Sequence, residues 1–304
     1  MATSGLAPGY RNVVTALRLF RAAVPTRDQA PAQRAKTSAW ITRWKLPESA
    51  GAVTQEDIPG GRIFRAAGES AGHVFYLHGG GLVFYSLEDF GSLMAHFAAR
   101  SRCTVTAFEY LKAPEHSVQE IVETLAAGIE QRLREIPAHE PLVLAGDSIG
   151  GYLALYLALR RFPKRFARLV LIYPVLDLHV QRPSYTAYGR GYCLNADMMG
   201  WFQSLWQSYD RGFHEFSPFH LNDADRENLP ETVVVSAEMD VLRDEAFDWC
   251  SYLQAGKFPV KHHPMASLAH DFCLYAGAIP EARAAVDFVT SQLSLNQILT
   301  EQCS

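Results

Sequence analysis

The chain has 304 residues, enough for one large α/β domain or two small ones with a filled core, and its 48% hydrophobic and 20% charged content is ordinary for a soluble globular protein. A net charge of -4 gives no reason to expect a nucleic-acid partner. Five scattered cysteines (Cys103, Cys193, Cys250, Cys273, Cys303) lack CxxC or Cys/His ligand spacing, which argues for reduced thiols in a cytoplasmic protein and against a metal site.

No apolar run approaches the ~18 residues of a membrane span, so no stable membrane insertion is expected. Residues 1–45 carry eight Arg or Lys and one acid, Asp28. Val13, Val14, Leu17 and Phe20 recur at helical spacing. Helices are expected over 10–24 and 33–44, with Pro25 and Pro31 bounding the connection. A mitochondrial presequence has a similar composition, but Trp40, Ile41 and Trp44 continue the apolar anchoring well past a plausible cleavage point. An amphipathic segment lying across the body of the protein is the better reading.

Residues 52–66 alternate weakly and turn at Pro59-Gly60-Gly61, which predicts an edge hairpin. His73 to Leu77 reads as a buried strand running into His78-Gly79-Gly80-Gly81. A helix is expected from Glu88 to Ala99, a strand from Cys103 to Phe108, and a helix from Val118 to Leu133 with Ile121, Val122, Leu125, Ile129 and Leu133 on one face. Leu142 to Ala145 is a short buried strand, followed across Gly146-Asp147-Ser148-Ile149-Gly150 by an apolar helix. Leu169 to Tyr173 is the next strand. From 178 to 214 an aromatic insert (Met198, Met199, Trp201, Phe202, Leu205, Trp206 and Tyr209) has the composition of a lid or pocket wall. Thr232 to Ser236, Val241 to Ala255, Val260 to His263 and Pro280 to Leu293 complete a strand, helix, strand, helix series. This alternation predicts an α/β protein with a mainly parallel sheet flanked by helices. Residues 51–177 and 215–304 would form the main domain, and residues 1–50 and 178–214 a helical cap.

The chemistry centres on Gly146-x-Ser148-x-Gly150 between a strand and a helix. A serine at so sharp a turn takes a strained backbone, and its neighbours two residues away have to be small. Its hydroxyl needs a base, and the base an orienting group. Asp240 follows the strand ending near Ser236, and His270 lies beyond the last strand. Asp240 also suits an N-cap. His262 and His263 fall inside the strand, and His214 and His220 belong to the insert and its exit. Asp271 is not expected to orient His270, because adjacent side chains diverge. The Ile149 amide and the His78-Gly79-Gly80-Gly81 turn would supply donors to a developing oxyanion, with His78 anchoring that loop.

Together these residues resemble the hormone-sensitive-lipase-like family of α/β-hydrolase esterases. His78-Gly79-Gly80-Gly81, Gly146-Asp147-Ser148-x-Gly150-Gly151, Asp240 with Leu242-Arg243-Asp244-Glu245, and His270-x-Phe272 occur in the family's order, and Tyr110-x-x-Ala113-Pro114-Glu115-His116 is similar to its stretch after the fourth strand. The resemblance, over about residues 73–290, implies a carboxylic-ester hydrolase with an α/β-hydrolase fold and a helical cap. It implies Ser148, Asp240 and His270 as triad and the amides of Gly80, Gly81 and Ile149 as oxyanion donors. No cofactor is needed. The implied partner is a small-molecule ester of short or medium acyl chain, with a homodimer left open. An amide or formamide hydrolase would use the same triad, whereas a non-catalytic ligand receptor of this type would lack the histidine. Departures from the family's pattern are Ile149 for alanine, Tyr85, Val241 and Glu238 near the motifs, and Asp271 beside His270. Tyr85, Tyr188 and Trp206 are candidate pocket residues, and Glu238 and Asp271 could also border the pocket. A buried carboxylate beside His270 would raise its pKa.

Overall fold

Several short, uninterrupted apolar runs of the sequence become the middle of one sheet. In a computed structural model, residues 5–19, 24–47, 53–138, 140–206, 213 and 215–294 are described. Eight strands pair in the order β1-β2-β4-β3-β5-β6-β7-β8. They are β1 (Val53–Ile58), β2 (Gly61–Ala66), β3 (His73–Leu77), β4 (Thr104–Phe108), β5 (Leu142–Asp147), β6 (Arg168–Ile172), β7 (Glu231–Met239) and β8 (Val260–Ala269). β1, β2 and β4 pair antiparallel; from β4 across to β8 every pairing is parallel. Val74 to Leu77, Leu142 to Ala145, Leu169 to Ile172 and Val233 to Val235 are all fully buried. Continuous apolar strands of this kind belong where helices cover both faces of a parallel sheet. β1, by contrast, carries Thr54-Gln55-Glu56-Asp57 at the open edge, and its acids pair with Arg65 and Arg62. Charges there discourage a further strand from adding to the edge.

The helices are α1 (Tyr10–Leu19), α2 (Ala30–Ile41), α3 (Leu87–Ser101), α4 (Val118–Leu133), α5 (Ile149–Arg160), α6 (Pro183–Tyr188), α7 (Ala196–Trp206), α8 (Asp223–Asn228), α9 (Arg243–Ala255) and α10 (Pro280–Leu293). α3 and α4 open with reciprocal capping boxes, Ser86 with Asp89 and Ser117 with Glu120. Each satisfies two amides at a helix start. No helix among the described residues is long and apolar enough to cross a membrane.

α1 and α2 lie against the body. Tyr10, Val13 and Val14 are buried, and Tyr10 meets Tyr275 edge-on at 6.1 Å between ring centroids. Arg34 on α2 donates to the Val83 carbonyl at 2.5 Å and the Ala113 carbonyl at 2.6 Å, and forms a two-pronged pair with Glu115. The α2 helix starts earlier than its apolar pattern suggests, because Pro31 sits in the first turn, where its missing N–H costs nothing. Phe20 and the expected extension of α1 toward residue 24 fall outside the described residues through 23, as do Tyr209 and His214.

Two differences from the expected elements matter for the site. β7 runs on to Met239 and β8 to Ala269, past their apolar runs, pairing through a register shift between Ala237 and Met239. That extension sets the start of the following loops. The six-residue helices α6 and α8 are too short to leave a periodic signal.

Candidate active site

The carboxyl ends of β3, β5, β7 and β8 deliver four loops to one edge of the sheet. At the end of β5, Ser148 has φ 54° and ψ −123°, a conformation costing about 1–3 kcal/mol that surrounding contacts have to hold. Its amide donates to the Ile172 carbonyl at 2.9 Å, and its carbonyl accepts from Gly151 and Val175, each at 3.0 Å. A Cβ on Gly146 would strike the Gly150 carbonyl, and one on Gly150 would strike the Leu77 carbonyl. The two glycines are therefore required by the contact of β5 and β3 with α5. Ile149 is fully buried beneath the turn.

The three side chains singled out from the sequence meet. His270 Nε2 lies 3.0 Å from Ser148 Oγ, and His270 Nδ1 lies 2.6 Å from Asp240 Oδ2. All three residues are buried, at 6%, 2% and 3% exposure for Ser148, Asp240 and His270. Asp240 also accepts the Leu242 amide at 3.1 Å through Oδ1. It thus serves the turn into α9 with one oxygen and the imidazole with the other. His262 bonds to Ser236 Oγ at 2.8 Å and His220 to Ser217 Oγ at 3.1 Å.

Burial alone would push the His270 pKa down. The carboxylates of Asp240 and Asp271, with the Asp240 hydrogen bond, outweigh it and carry the imidazole up to about 9. Asp271 reaches it in an unexpected way. Its backbone is left-handed, with φ 59°. The carboxylate does not approach Nδ1; Oδ1 lies 3.6 Å from Nε2, and Oδ2 accepts from the Tyr85 hydroxyl at 3.1 Å. Burial raises the Asp271 pKa, opposed by the His270 charge and the Tyr85 hydrogen bond.

Opposite the serine, Gly80 and Gly81 have φ 108° and 66°, a path that only glycine follows without strain. The Gly80 carbonyl accepts from Val83 at 3.0 Å and Phe84 at 2.7 Å, which closes the turn. No acceptor among the described residues takes the N–H of Gly80, Gly81 or Ile149, the last being the first residue of α5. Gly79 donates to Asp147 Oδ1 at 2.9 Å, and Tyr76 donates to the same oxygen at 2.7 Å. Asp147 is the residue sequence reasoning passed over. It ties the glycine turn to the serine turn, and its position in Gly146-Asp147-Ser148 was the available signal. Burial lifts its pKa to about 7, against the two hydrogen bonds that favour the carboxylate. His78 is buried, stacked on Tyr110 with 4.2 Å between centroids, and bonded through Nδ1 to the Gly79 carbonyl at 2.7 Å. Tyr110 also donates to the His78 carbonyl at 2.7 Å.

A cavity of about 790 Å³ opens over these groups, within the range that encloses a small-molecule ligand. Trp40 and Thr37 of α2, and Met198, Phe202 and Trp206 of α7, line it with Tyr85, Asp271, Ser148 and His270. Trp206 donates to the Gly81 carbonyl at 3.0 Å, bracing the turn as well as walling the cavity. Two expected pocket residues belong elsewhere. Tyr188 is not among the cavity's lining residues; its hydroxyl accepts from Arg243 at 2.7 Å, and that guanidinium also lies over its ring. Glu238 accepts from the Ser267 amide at 3.3 Å and is not among the residues lining the cavity.

A family profile described as the alpha/beta hydrolase fold matches residues 74–274. The chain is 30% identical over 230 residues to an ethyl acetate hydrolase of Pseudomonas putida, covering 72% of each chain. It is 28% identical over 233 residues to an esterase of Fusarium pseudograminearum, again over 72% of each. Among solved structures it is similar to a hyperthermophilic esterase from the archaeon Pyrobaculum calidifontis, with TM-score 0.80, 26% identity, and coverage of 95% of this chain and 98% of that one. A thermostable esterase from Pseudomonas putida superposes with TM-score 0.84 at 22% identity, over 97% of this chain and 98% of that one, a likeness of fold.

Proposed function

Given that the chain belongs to the hormone-sensitive-lipase-like family of α/β-hydrolase-fold esterases and is an esterase-type hydrolase, we propose that Ser148, His270 and Asp240 carry the reaction through an acyl-enzyme. The observation that carries this reading is the unbroken chain from Ser148 Oγ to His270 Nε2 at 3.0 Å and from His270 Nδ1 to Asp240 at 2.6 Å.

Unprotonated His270 takes the Ser148 proton as Oγ attacks the ester carbonyl carbon. The carbonyl oxygen gains the negative charge, and the N–H groups of Gly80, Gly81 and Ile149 receive it. The carbon–oxygen bond to the alcohol then breaks, and the imidazolium returns its proton to the leaving oxygen. Water repeats the sequence on the acyl-serine: His270 takes a water proton, hydroxide adds, and Ser148 leaves with the proton back on Oγ. Asp240 holds Nδ1–H throughout and stabilises the imidazolium.

The substrates proposed are esters of short or medium acyl chain. The cavity volume and its apolar wall of Met198, Phe202 and Trp206 support this, as does the relative named for ethyl acetate. Helices α1 and α2 with the 178–214 insert are proposed as a cap, a division supported by the lining that both give to the cavity. The test is labelling with an organophosphonate ester followed by peptide mass spectrometry. The adduct is expected on Ser148, and Ser148→Ala should neither label nor turn over a p-nitrophenyl ester, with kcat lower by ~10⁴-fold or more. Labelling at another serine, with activity intact in the variant, would overturn the assignment.

A further inference from the structure

Asp271 has a feature that the hydrolytic cycle leaves unused. Its side chain is 17% exposed and lines the cavity. Oδ2 is occupied by the Tyr85 hydroxyl. Oδ1 lies 3.6 Å from His270 Nε2, beyond hydrogen-bonding length, and no donor among the described residues takes it. Oδ1 therefore faces the cavity as an acceptor open to a donor that a substrate brings. Asp271 is not needed to shape the chain there either, since glycine suits a φ of 59° better than any residue with a Cβ.

His270 Nε2 is also the atom that hands a proton to the departing alcohol, so the leaving oxygen comes within hydrogen-bond reach of it. Asp271 Oδ1 and the leaving oxygen are then neighbours around one nitrogen. A donor on the carbon next to the ester-bearing carbon of the alcohol would fall between them. The geometry points to esters of vicinal diols and polyols (glycol, glycerol or sugar monoesters) as the substrate class, with the adjacent free hydroxyl donating to Asp271 Oδ1. The assignment rests on Ser148 and His270 acting as proposed above. A neutral hydroxyl fits better than an ammonium group, because Lys36 and Arg190 line the same cavity with no acidic partner among the described residues. A site built to accept a hydroxyl's hydrogen discriminates against the analogue that lacks it.

The test compares kcat/KM for 2-hydroxyethyl acetate and 2-methoxyethyl acetate, whose leaving alcohols are similar in size and acidity. The wild type should prefer the hydroxyl ester by about tenfold or more, the range of a hydrogen bond to a charged acceptor. Asp271→Gly should bring the ratio close to one. Asp271→Asn, which retains an amide oxygen, should fall between and serves if the glycine variant does not fold. Any change in His270 basicity acts on both esters alike and cancels in the ratio. A wild-type ratio near one refutes the inference, and so does a wild-type preference kept by both variants. Ser148→Ala should abolish turnover of both esters. Turnover that survives it would indict the proposed nucleophile, a separate failure from the loss of selectivity.

Discussion

Replacing Asp271 with glycine should lower the pH at which His270 becomes unprotonated. As the proposed base, His270 can act only when unprotonated, so kcat/KM should rise with pH through the imidazole pKa of the free enzyme. The carboxylate 3.6 Å from Nε2 stabilises the imidazolium. Coulomb's law at that distance gives about 1 kcal/mol with the dielectric constant of water and about 5 kcal/mol at an effective value of 20. One pH unit corresponds to ~1.4 kcal/mol, so removing the charge should lower the limb by about one pH unit or more from its position near about 9. The sign follows: a negative neighbour raises the pKa, and its loss lowers it. Well below that pKa the unprotonated fraction climbs about tenfold for each unit the pKa falls, and kcat/KM for an ester without donor groups should climb with it. Glycine suits the left-handed backbone, so the loop should keep its shape. The assay is a pH series of kcat/KM for p-nitrophenyl acetate on both proteins. Superimposable limbs, or a limb displaced to higher pH in the variant, would refute the electrostatic reasoning.

Three further outcomes follow from the geometry. Gly81→Ala puts a Cβ against the Phe202 ring at a positive φ, so the turn should shift and kcat fall by ~10²–10³-fold, the cost of one oxyanion donor; an unchanged kcat would remove Gly81 from that role. Asp147→Ala strips the acceptor from Gly79 N–H and the Tyr76 hydroxyl, which should cost about 1–3 kcal/mol per buried donor and appear as a lower Tm; a melting curve like that of the wild type would contradict it. Trp206→Ala enlarges the cavity and releases the Gly81 carbonyl, so a p-nitrophenyl series should show a lower kcat on acetate and a preference displaced to longer acyl chains, and an unaltered chain-length profile would count against Trp206 as a wall.

Much of this architecture could be read in the chain because its centre is written in simple patterns. Leu142 to Ala145 and Leu169 to Ile172 are apolar without a break, and Val118–Leu133 has a clean buried face, so their limits fell close to those observed. Ser148, Asp240 and His270 could be singled out because order and strand context left few rivals. What was not legible depended on direction instead of pattern. Tyr188 sits on a six-residue helix with no phase to read, and Arg243, distant in sequence, decides where it points. β8 continues through Pro264 to Ala269 because β7 offers it a partner, which no local run of apolar residues announces. Asp271 was expected to border the pocket without orienting His270, and it does, but the side of the imidazole it faces could not be read. Its left-handed φ folds the carboxylate back, and a single sequence does not display that angle.

The Arg34 clamp links access to chemistry. One guanidinium grips the carbonyls of Val83 and Ala113, so α2, which lines the cavity, is fastened to the segment just beyond Gly81. A swing of that helix wide enough to admit a large molecule would drag on the amides that face the serine. Any displacement of α2 is therefore coupled mechanically to the glycine turn.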